Sequence, residues 1–180
     1  MNSFFTSDTH FGHANIIKYS SRPFKSAKEM DDTIIHNWNS VVAPGDTVYH
    51  LGDFAVGGGE ADEYLRRLNG NIKFCWGNHD NRLNRAKSRP IDVCDIRYIS
   101  VERQEIVLCH YAMKVWDKSH KGAWHLYGHS HGTLPDDPHS LSFDIGMDCH
   151  NMFPLNFYQV KALMEKKTYK SVDHHGSHTT

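Results

Sequence analysis

No apolar run in this 180-residue chain approaches the roughly 20 residues that a membrane-spanning helix requires. The first residues, Met1–Phe5, also lack a basic segment followed by a long apolar stretch, so the sequence shows no secretory signal. The four cysteines form no C-x-x-C pair, and we expect them to be free thiols of a reducing compartment. The sequence therefore predicts a cytoplasmic protein without a membrane anchor.

The chain also lacks an excess of charge of either sign. Lys and Arg number 20 against 21 Asp and Glu, so the formal net charge is -1 and gives no strong indication of nucleic-acid binding. We find no internal repeat and no linker, and this length suits one complete domain. We predict a single domain over residues 1–170 and a disordered tail over 171–180, because the tail has little to bury.

Short apolar runs separated by turn residues predict the strands, and longer amphipathic segments predict the helices. The predicted strands cover 3–7, 47–51, 71–76, 97–101, 105–109, 124–127 and 141–145, and the predicted helices 26–38, 60–68 and 155–165. Ser26 and Glu29 have the spacing of a capping box at the start of the first helix. Strands and helices alternate early and strands follow one another late, which favours an α/β sandwich with mixed sheets.

Short polar blocks follow the ends of these predicted strands. They are Asp8-Thr9-His10, Gly52-Asp53, Gly77-Asn78-His79-Asp80, His110 and Gly128-His129-Ser130-His131. Each block alone has an ordinary explanation, since Gly-Asp is a common turn pair and a polar residue often ends a strand. Their shared placement favours one site, because ligands bind at the carboxyl ends of strands in such sheets.

These residue types indicate a metal centre. Asp8 and His10 leave a strand at alternate positions, which share a face in an extended segment and can bind one cation, and His129-x-His131 repeats the spacing. Asn78 adds an uncharged oxygen ligand, whereas the adjacent His79 points elsewhere and is free for proton transfer. Oxygen and nitrogen ligands suit Mn²⁺, Fe or Zn²⁺. Two such cations about 3.5–4 Å apart can hold the attacking and leaving oxygens of an in-line displacement.

In this order the blocks resemble the pattern D-x-H, G-D, G-N-H-D/E, H, G-H-x-H of the calcineurin-like metallophosphoesterase superfamily. The match runs from Asp8 to His131, and it is similar to the small bacterial and phage phosphoesterases that begin SDTHFGH and continue with HLGDF and GNHD. The resemblance implies the family fold, an α/β four-layer β-sandwich with mixed sheets flanked by helices. It also implies two sets of metal ligands, Asp8, His10, Asp53 and His131 for the first metal and Asp53, Asn78, His110 and His129 for the second.

The activity that the resemblance implies is a dinuclear metal-dependent phosphohydrolase, acting on phosphodiesters, phosphomonoesters or both. A hydroxide that bridges the metals would attack phosphorus in line, and His79 would protonate the leaving oxygen. We expect two divalent ions, Mn²⁺ before Fe, Ni²⁺, Co²⁺ or Zn²⁺, and a small phosphoester substrate, with nucleotides as one candidate class. Asn78, His13 and Arg82 are the candidate substrate contacts, although His13 also fits a structural role at the start of the segment 14–18.

The departures from the family pattern narrow this expectation. Gly52-Asp53 is followed by Phe54-Ala55-Val56-Gly57 rather than V-D-R-G, which makes phosphoprotein and dinucleoside polyphosphate substrates less favoured. The length leaves no room for the DNA-binding capping domain of the break-repair nucleases. Two alternatives stay open: a non-catalytic protein-binding scaffold on the same fold, as in a retromer subunit, and a nuclease for short nucleic acids. The sequence leaves the oligomeric state open.

Overall fold

A computed structural model describes residues 1–56, 61–85, 87 and 91–173. Within them the helices are α1 (Ile16–Tyr19), α2 (Ala27–Val41), α3 (Ala61–Arg67) and α4 (Phe157–Met164). The strands are β1 (Ser3–Thr6), β2 (Thr47–His50), β3 (Asn71–Cys75), β4 (Asp92–Cys94), β5 (Ile96–Val101), β6 (Gln104–Cys109), β7 (Trp124–Tyr127), β8 (Ser142–Asp144) and β9 (Leu155–Asn156). Short 3₁₀ segments cover Asp80–Arg85, Ser119–Lys121 and Met147–Cys149.

The strands form two mixed sheets. The first has the order β4-β3-β2-β1-β9, with β1 to β4 parallel and β9 antiparallel to β1. The second has the order β5-β6-β7-β8, with β6 to β8 parallel and β5 antiparallel to β6. Parallel strands place their carboxyl ends at one edge, so most chain segments that leave these strands emerge on the same side of each sheet. The predicted α/β architecture with mixed sheets and flanking helices is confirmed.

Alternation along β1 shows how the layers pack. Phe4 belongs to a core between the first sheet and the helices α2 and α3, which also holds the fully buried Trp38. Phe5 points the other way, into a core with Leu108 and Leu126 of the second sheet. The outer face of the second sheet is covered by the segment around Trp116. Both faces of the first sheet are therefore buried, and removal of these side chains from water stabilises the layered arrangement.

The predicted strands are confirmed, with differences of one residue at some ends. The predicted helix over 155–165 is partly wrong: Leu155–Asn156 pair with β1 as β9, and α4 begins at Phe157 behind a complete capping box of Asn156 and Gln159. The capping box predicted at Ser26 is half formed. Ser26 accepts from the Glu29 amide, but the Glu29 carboxylate accepts from Lys25 N–H at 2.8 Å instead of from Ser26.

The remaining predictions concern a short strand, two segments outside the described residues, membrane helices and the cysteines. The strand β4 was not predicted, because the three residues Asp92–Cys94 are too few to show an alternation of apolar and polar side chains. The predicted glycine loop at 57–59 and the tail residues 174–180 lie outside the described residues. No described helix has both the length and the apolar composition that crossing a membrane requires. All four cysteines are free, as predicted, and Cys75 and Cys109 are buried.

Candidate metal centre

The carboxyl ends of both sheets meet at one edge of the sandwich. Asp8 follows β1, Asp53 follows β2 and Asn78 follows β3 in the first sheet. From the second sheet, His110 follows β6, and His129 and His131 follow β7. The structure brings all of the predicted metal ligands together there, in two groups that lie side by side.

The first group consists of Asp8, His10 and His131, whose ligand atoms lie within 4.8 Å of one another. The Nε2 atoms of both histidines are 3.9 Å from Asp8 Oδ1. All three side chains are buried or half-buried. One carboxylate oxygen and two imidazole nitrogens thus converge on one point.

The second group consists of Asp53, His110 and His129, again within 4.8 Å of one another. Asn78 completes it, since its Oδ1 lies 3.1 Å from His110 Nε2 and 3.0 Å from His129 Nδ1. Asp53 Oδ2 is 3.6 Å from His110 Nε2 and also 3.6 Å from Nε2 of His10 in the first group. The Asp53 carboxylate therefore lies between the two groups, where a bridging ligand would be.

The donor atoms fit divalent cations. Among the described residues, Asp8 Oδ1 and His10 Nε2 are buried side-chain atoms without a hydrogen-bond partner. Leaving such atoms unpaired costs about 1–3 kcal/mol each, and a cation at their meeting point would satisfy both. Burial raises the pKa of Asp8 to about 8, and burial followed by the nearby His131 lowers the pKa of His10. Both shifts mean that the charged form of the side chain, the Asp8 carboxylate or the protonated His10 ring, is disfavoured by burial.

Each of the two carboxylates is held by a backbone amide on one oxygen only. Asp8 Oδ2 accepts from His129 N–H at 2.9 Å, and Asp53 Oδ1 accepts from His79 N–H at 2.8 Å. Asp8 Oδ1 and Asp53 Oδ2 are the oxygens that face the imidazoles. The amides thus fix the orientation of both carboxylates and leave the facing oxygens free for a metal.

The chain leaves its strands through tight turns rather than extended segments. Asp8 (φ 58°), His10 (φ 52°), His129 (φ 67°) and His131 (φ 48°) all lie in the left-handed region. The side chains converge as predicted, but the predicted reason is wrong, because these residues do not lie in an extended segment whose alternate positions share a face. Such backbone strain costs about 1–3 kcal/mol per residue and persists where surrounding contacts impose it.

Two glycines allow this close approach of loops. A Cβ on Gly128 would lie 2.0 Å from Ser7 Oγ and 2.4 Å from Asp8 Oδ2, and a Cβ on Gly77 would lie 2.3 Å from Asp53 Oδ1. No real side chain tolerates such distances. These positions need glycine for space next to the carboxylates.

Asp80 organises the turn after β2. The sequence places Asp80 in the block Gly77-Asn78-His79-Asp80, but it does not indicate this role. Its carboxylate accepts from the amides of Asp53 at 2.9 Å, Phe54 at 2.8 Å and Gly77 at 2.8 Å. Burial raises the pKa of Asp80, while these amides counteract the shift. Asp80 thereby ties the Asp53 turn to the turn that carries Asn78.

The ring nitrogens that face away from the groups also have partners. His110 Nδ1 lies 2.8 Å from the Leu51 carbonyl oxygen, and His10 Nδ1 lies 3.3 Å from His13 Nδ1. His131 Nδ1 lies 2.6 Å from Asp148 Oδ2. Burial lowers the pKa of His131, but Asp148 and Asp8 outweigh burial, so the net shift is upward. Sequence reasoning missed Asp148, which follows β8 without any local motif.

Two further residues that the sequence singled out, His79 and His13, lie beside the first ligand group. His79 is exposed, with its ring centroid 5.7 Å from that of His10, and the half-buried His13 ring is 6.3 Å from His79. The Arg82 side chain lies outside the described residues. Tyr111, which sequence reasoning missed, is 48% exposed and places its ring 4.8 Å from the His129 ring. Only its position directly after His110 could have indicated it.

Comparison with known proteins agrees with this geometry. The family model for the calcineurin-like phosphoesterase superfamily domain matches residues 1–141. The chain therefore belongs to the calcineurin-like phosphoesterase superfamily. Membership makes it a metal-dependent phosphoesterase, an enzyme of the hydrolase class, as the resemblance of its motifs implied.

Similar proteins come from archaea, bacteria and a phage. An uncharacterized protein of Methanocaldococcus jannaschii is 35% identical over 168 residues, which cover 89% of each chain. The gene 66 protein of Mycobacterium phage L5 is 32% identical over 83 residues, covering 44% of this chain and 40% of that protein. A structure of a protein of unknown function from Aquifex aeolicus has a TM-score of 0.70 at 24% identity, covers 90% of this chain and 98% of its own, and shares the fold.

Proposed function

We propose that this chain is a dinuclear metal-dependent phosphohydrolase that cleaves phosphodiesters, phosphomonoesters or both. The observation that carries the proposal is the position of Asp53 Oδ2, at 3.6 Å from Nε2 of His10 in one ligand group and of His110 in the other. A carboxylate shared between two ligand groups suits a two-metal site, whose cations lie about 3.5–4 Å apart. A single-metal site would leave one group of buried ligand atoms without a function.

The ligands divide into two sets. Asp8, His10, Asp53 and His131 would hold the first cation, and Asp53, Asn78, His110 and His129 the second. Bound there, the cations would supply a water of lowered pKa and a counter-charge for the phosphoryl oxygens. Mn²⁺ fits this oxygen and nitrogen donor set, as do Fe, Ni²⁺, Co²⁺ and Zn²⁺.

His79 is the proposed proton donor. Its backbone amide is fixed on Asp53 Oδ1 at 2.8 Å, while its exposed side chain lies at the open side of the metal centre. A ring held there reaches a substrate oxygen without being a metal ligand, and its role would be to protonate the leaving oxygen. The amide nitrogen of Asn78, whose Oδ1 faces His110 and His129, would donate to a phosphoryl oxygen.

The substrate proposal is a small phosphoester, with nucleotides as one class to test. His13 beside His10 would contact the substrate on the side of the first metal, and Arg82 is a further proposed phosphate contact on the strength of its place after the Asn78 block. The free cysteines support a reducing, cytoplasmic location.

The test is hydrolysis of bis-p-nitrophenyl phosphate and p-nitrophenyl phosphate by protein that has been stripped with a chelator and then loaded with each candidate metal. Elemental analysis of the same samples should give two metals per chain. Asp53→Asn should lose metal and turnover, whereas Asp117→Asn, at an exposed carboxylate that belongs to neither ligand group, should lose neither. A folded protein without turnover on any metal would overturn the proposal and favour the protein-binding scaffold.

A further inference from the structure

Arg22 is a buried arginine that joins two distant parts of the metal centre. The residue is only 4% exposed, and it lies between α1 and α2 in the chain. Its Nη2 donates to the backbone oxygen of Asp8 at 2.6 Å, and its Nη1 donates to that of Thr9 at 2.9 Å. The guanidinium thus holds the backbone of the turn that presents Asp8 and His10.

The other side of the guanidinium binds Asp148. Nε and Nη2 of Arg22 donate to the two carboxylate oxygens of Asp148, each at 2.8 Å. Asp148 in turn accepts from His131 Nδ1 at 2.6 Å. A continuous series of hydrogen bonds therefore runs from the Asp8 backbone through Arg22 and Asp148 to the His131 ring. Both of its ends are ligand residues of the first group.

The second group is supported in a different way. The outer nitrogen of His110 meets a neutral backbone carbonyl, that of Leu51, at 2.8 Å. Asn78 and His129 are exposed. Among the described residues, no carboxylate–guanidinium pair contacts the ligands of this group. The two groups thus differ in charge and in burial of their supporting contacts.

We propose that Arg22 and Asp148 are positioning residues that set the metal affinity of the first site and leave the second site unaffected. This inference rests on the dinuclear function proposed above. A carboxylate on the outer nitrogen of a ligating histidine fixes the ring and raises its basicity, and loss of such a partner lowers metal affinity about 10- to 100-fold. Arg22 adds the fixed backbone of Asp8 to the same unit.

Stability alone does not explain the pair. A buried ion pair replaced by apolar residues of similar volume often leaves a protein as stable as before or more so. The pair instead positions two ligands. Arg22 donates both to the backbone of Asp8 and to the carboxylate of Asp148, which holds the His131 ring. Arg is needed for this, because lysine lacks the planar fork that reaches several acceptors in fixed directions.

The experiment is a calorimetric titration of chelator-stripped protein with Mn²⁺, with elemental analysis of dialysed samples. We expect wild-type protein to bind two ions. Asp148→Asn should weaken one of the two binding events by about 10- to 100-fold and leave the other unchanged. Arg22→Lys, which retains the charge and loses the fork, should weaken the same event by a smaller factor.

The matched control is Asp46→Asn. Asp46 is also a buried carboxylate, 5% exposed, and it accepts from the amides of Asn2 at 2.7 Å and Ala43 at 3.0 Å. It precedes β2, at the opposite end of the strands from the ligands. The same chemical change there should leave both binding events intact. Circular dichroism of the stripped proteins establishes that each variant is folded.

Asn78→Ala identifies which event belongs to which site, because it removes a ligand of the second group. Its effect should fall on the event that Asp148→Asn leaves unchanged, and the double variant should weaken both. Equal weakening of both events by Asp148→Asn, or of neither, would overturn this inference while the dinuclear function stands. Wild-type protein that binds one ion would overturn the dinuclear function and this inference with it.

Discussion

At the scale of single residues, the metal centre depends on how each side chain divides its polar atoms. Asp8 and Asp53 each give one oxygen to a backbone amide and keep the other for the ligand groups. His110 and His131 do the same with their ring nitrogens. His79 differs, because only its backbone amide is engaged in these contacts and its exposed ring is left for the substrate.

His79→Ala should therefore keep both metals and lose activity. We expect a fall in kcat/KM of about 10²- to 10⁴-fold, the usual contribution of a proton donor. The loss should be larger for phenyl than for p-nitrophenyl phosphodiesters, because the more basic leaving group needs the proton more. Kinetics on both esters and elemental analysis check the prediction. Loss of metal in His79→Ala would mean that the ring is a ligand.

At the scale of elements, the ligands depend on the turns that follow the strands. The strand ends bring the segments together, but left-handed residues and glycines decide where the side chains point. Gly128, between β7 and His129, is in contact with the residues that leave β1.

Gly128→Ala should damage the centre through this contact. The new methyl group would overlap Ser7 Oγ, at 2.0 Å, and the Asp8 carboxylate, at 2.4 Å, so the two turns must separate. We expect a loss of about 1–3 kcal/mol in the free energy of unfolding together with weaker metal binding. Gly45→Ala is the control, since a Cβ there meets nothing within 4 Å. Thermal unfolding and metal content measure both effects, and equal behaviour of the two variants would contradict the prediction.

At the scale of the whole molecule, the burial of neutral histidines in the core makes the stability of the fold depend on pH. His125 on β7 accepts from Met113 N–H at 3.1 Å through Nε2, so its Nδ1 carries the proton and donates to the Val107 oxygen at 3.0 Å. Burial, partly offset by this backbone contact, lowers the pKa of His125 from 6.5 to about 4. The folded state therefore binds fewer protons than the unfolded state between these values. The contribution of His125 to stability is therefore fully present above pH 6.5 and is lost as the pH falls toward 4.

Urea unfolding in the presence of a chelator tests this dependence. Between about pH 7.5 and 4.5, wild-type protein should lose roughly 2–3 kcal/mol more than His125→Gln, since one pKa unit corresponds to about 1.4 kcal/mol. The comparison of slopes cancels the groups that the two proteins share, including the unligated carboxylates. Parallel curves for the two proteins would show that His125 does not titrate with unfolding.

Strands, ligand types and their order could be read from the sequence because they depend on local information. Apolar runs such as 71–76 mark buried strands, and Asp, Asn and His in ordered blocks mark metal chemistry wherever the chain takes them. The family pattern could be recognised for the same reason. The short pairings of β4 and β9 could not be predicted, because two or three residues carry too little periodicity.

The tertiary structure decided which of these residues meet and how they are held. Asp148 lies 126 residues from Arg22 and 17 residues from His131, and no spacing rule connects the three. The left-handed turns at Asp8 and His10 are tied to the turn after β2, since Asp8 N–H donates to the Gly52 oxygen and His10 N–H to the Asp53 oxygen, each at 3.0 Å, and the sequence indicates neither contact. Ligand chemistry is a property of each residue type, whereas the orientation of ligands depends on packing between segments far apart in the chain.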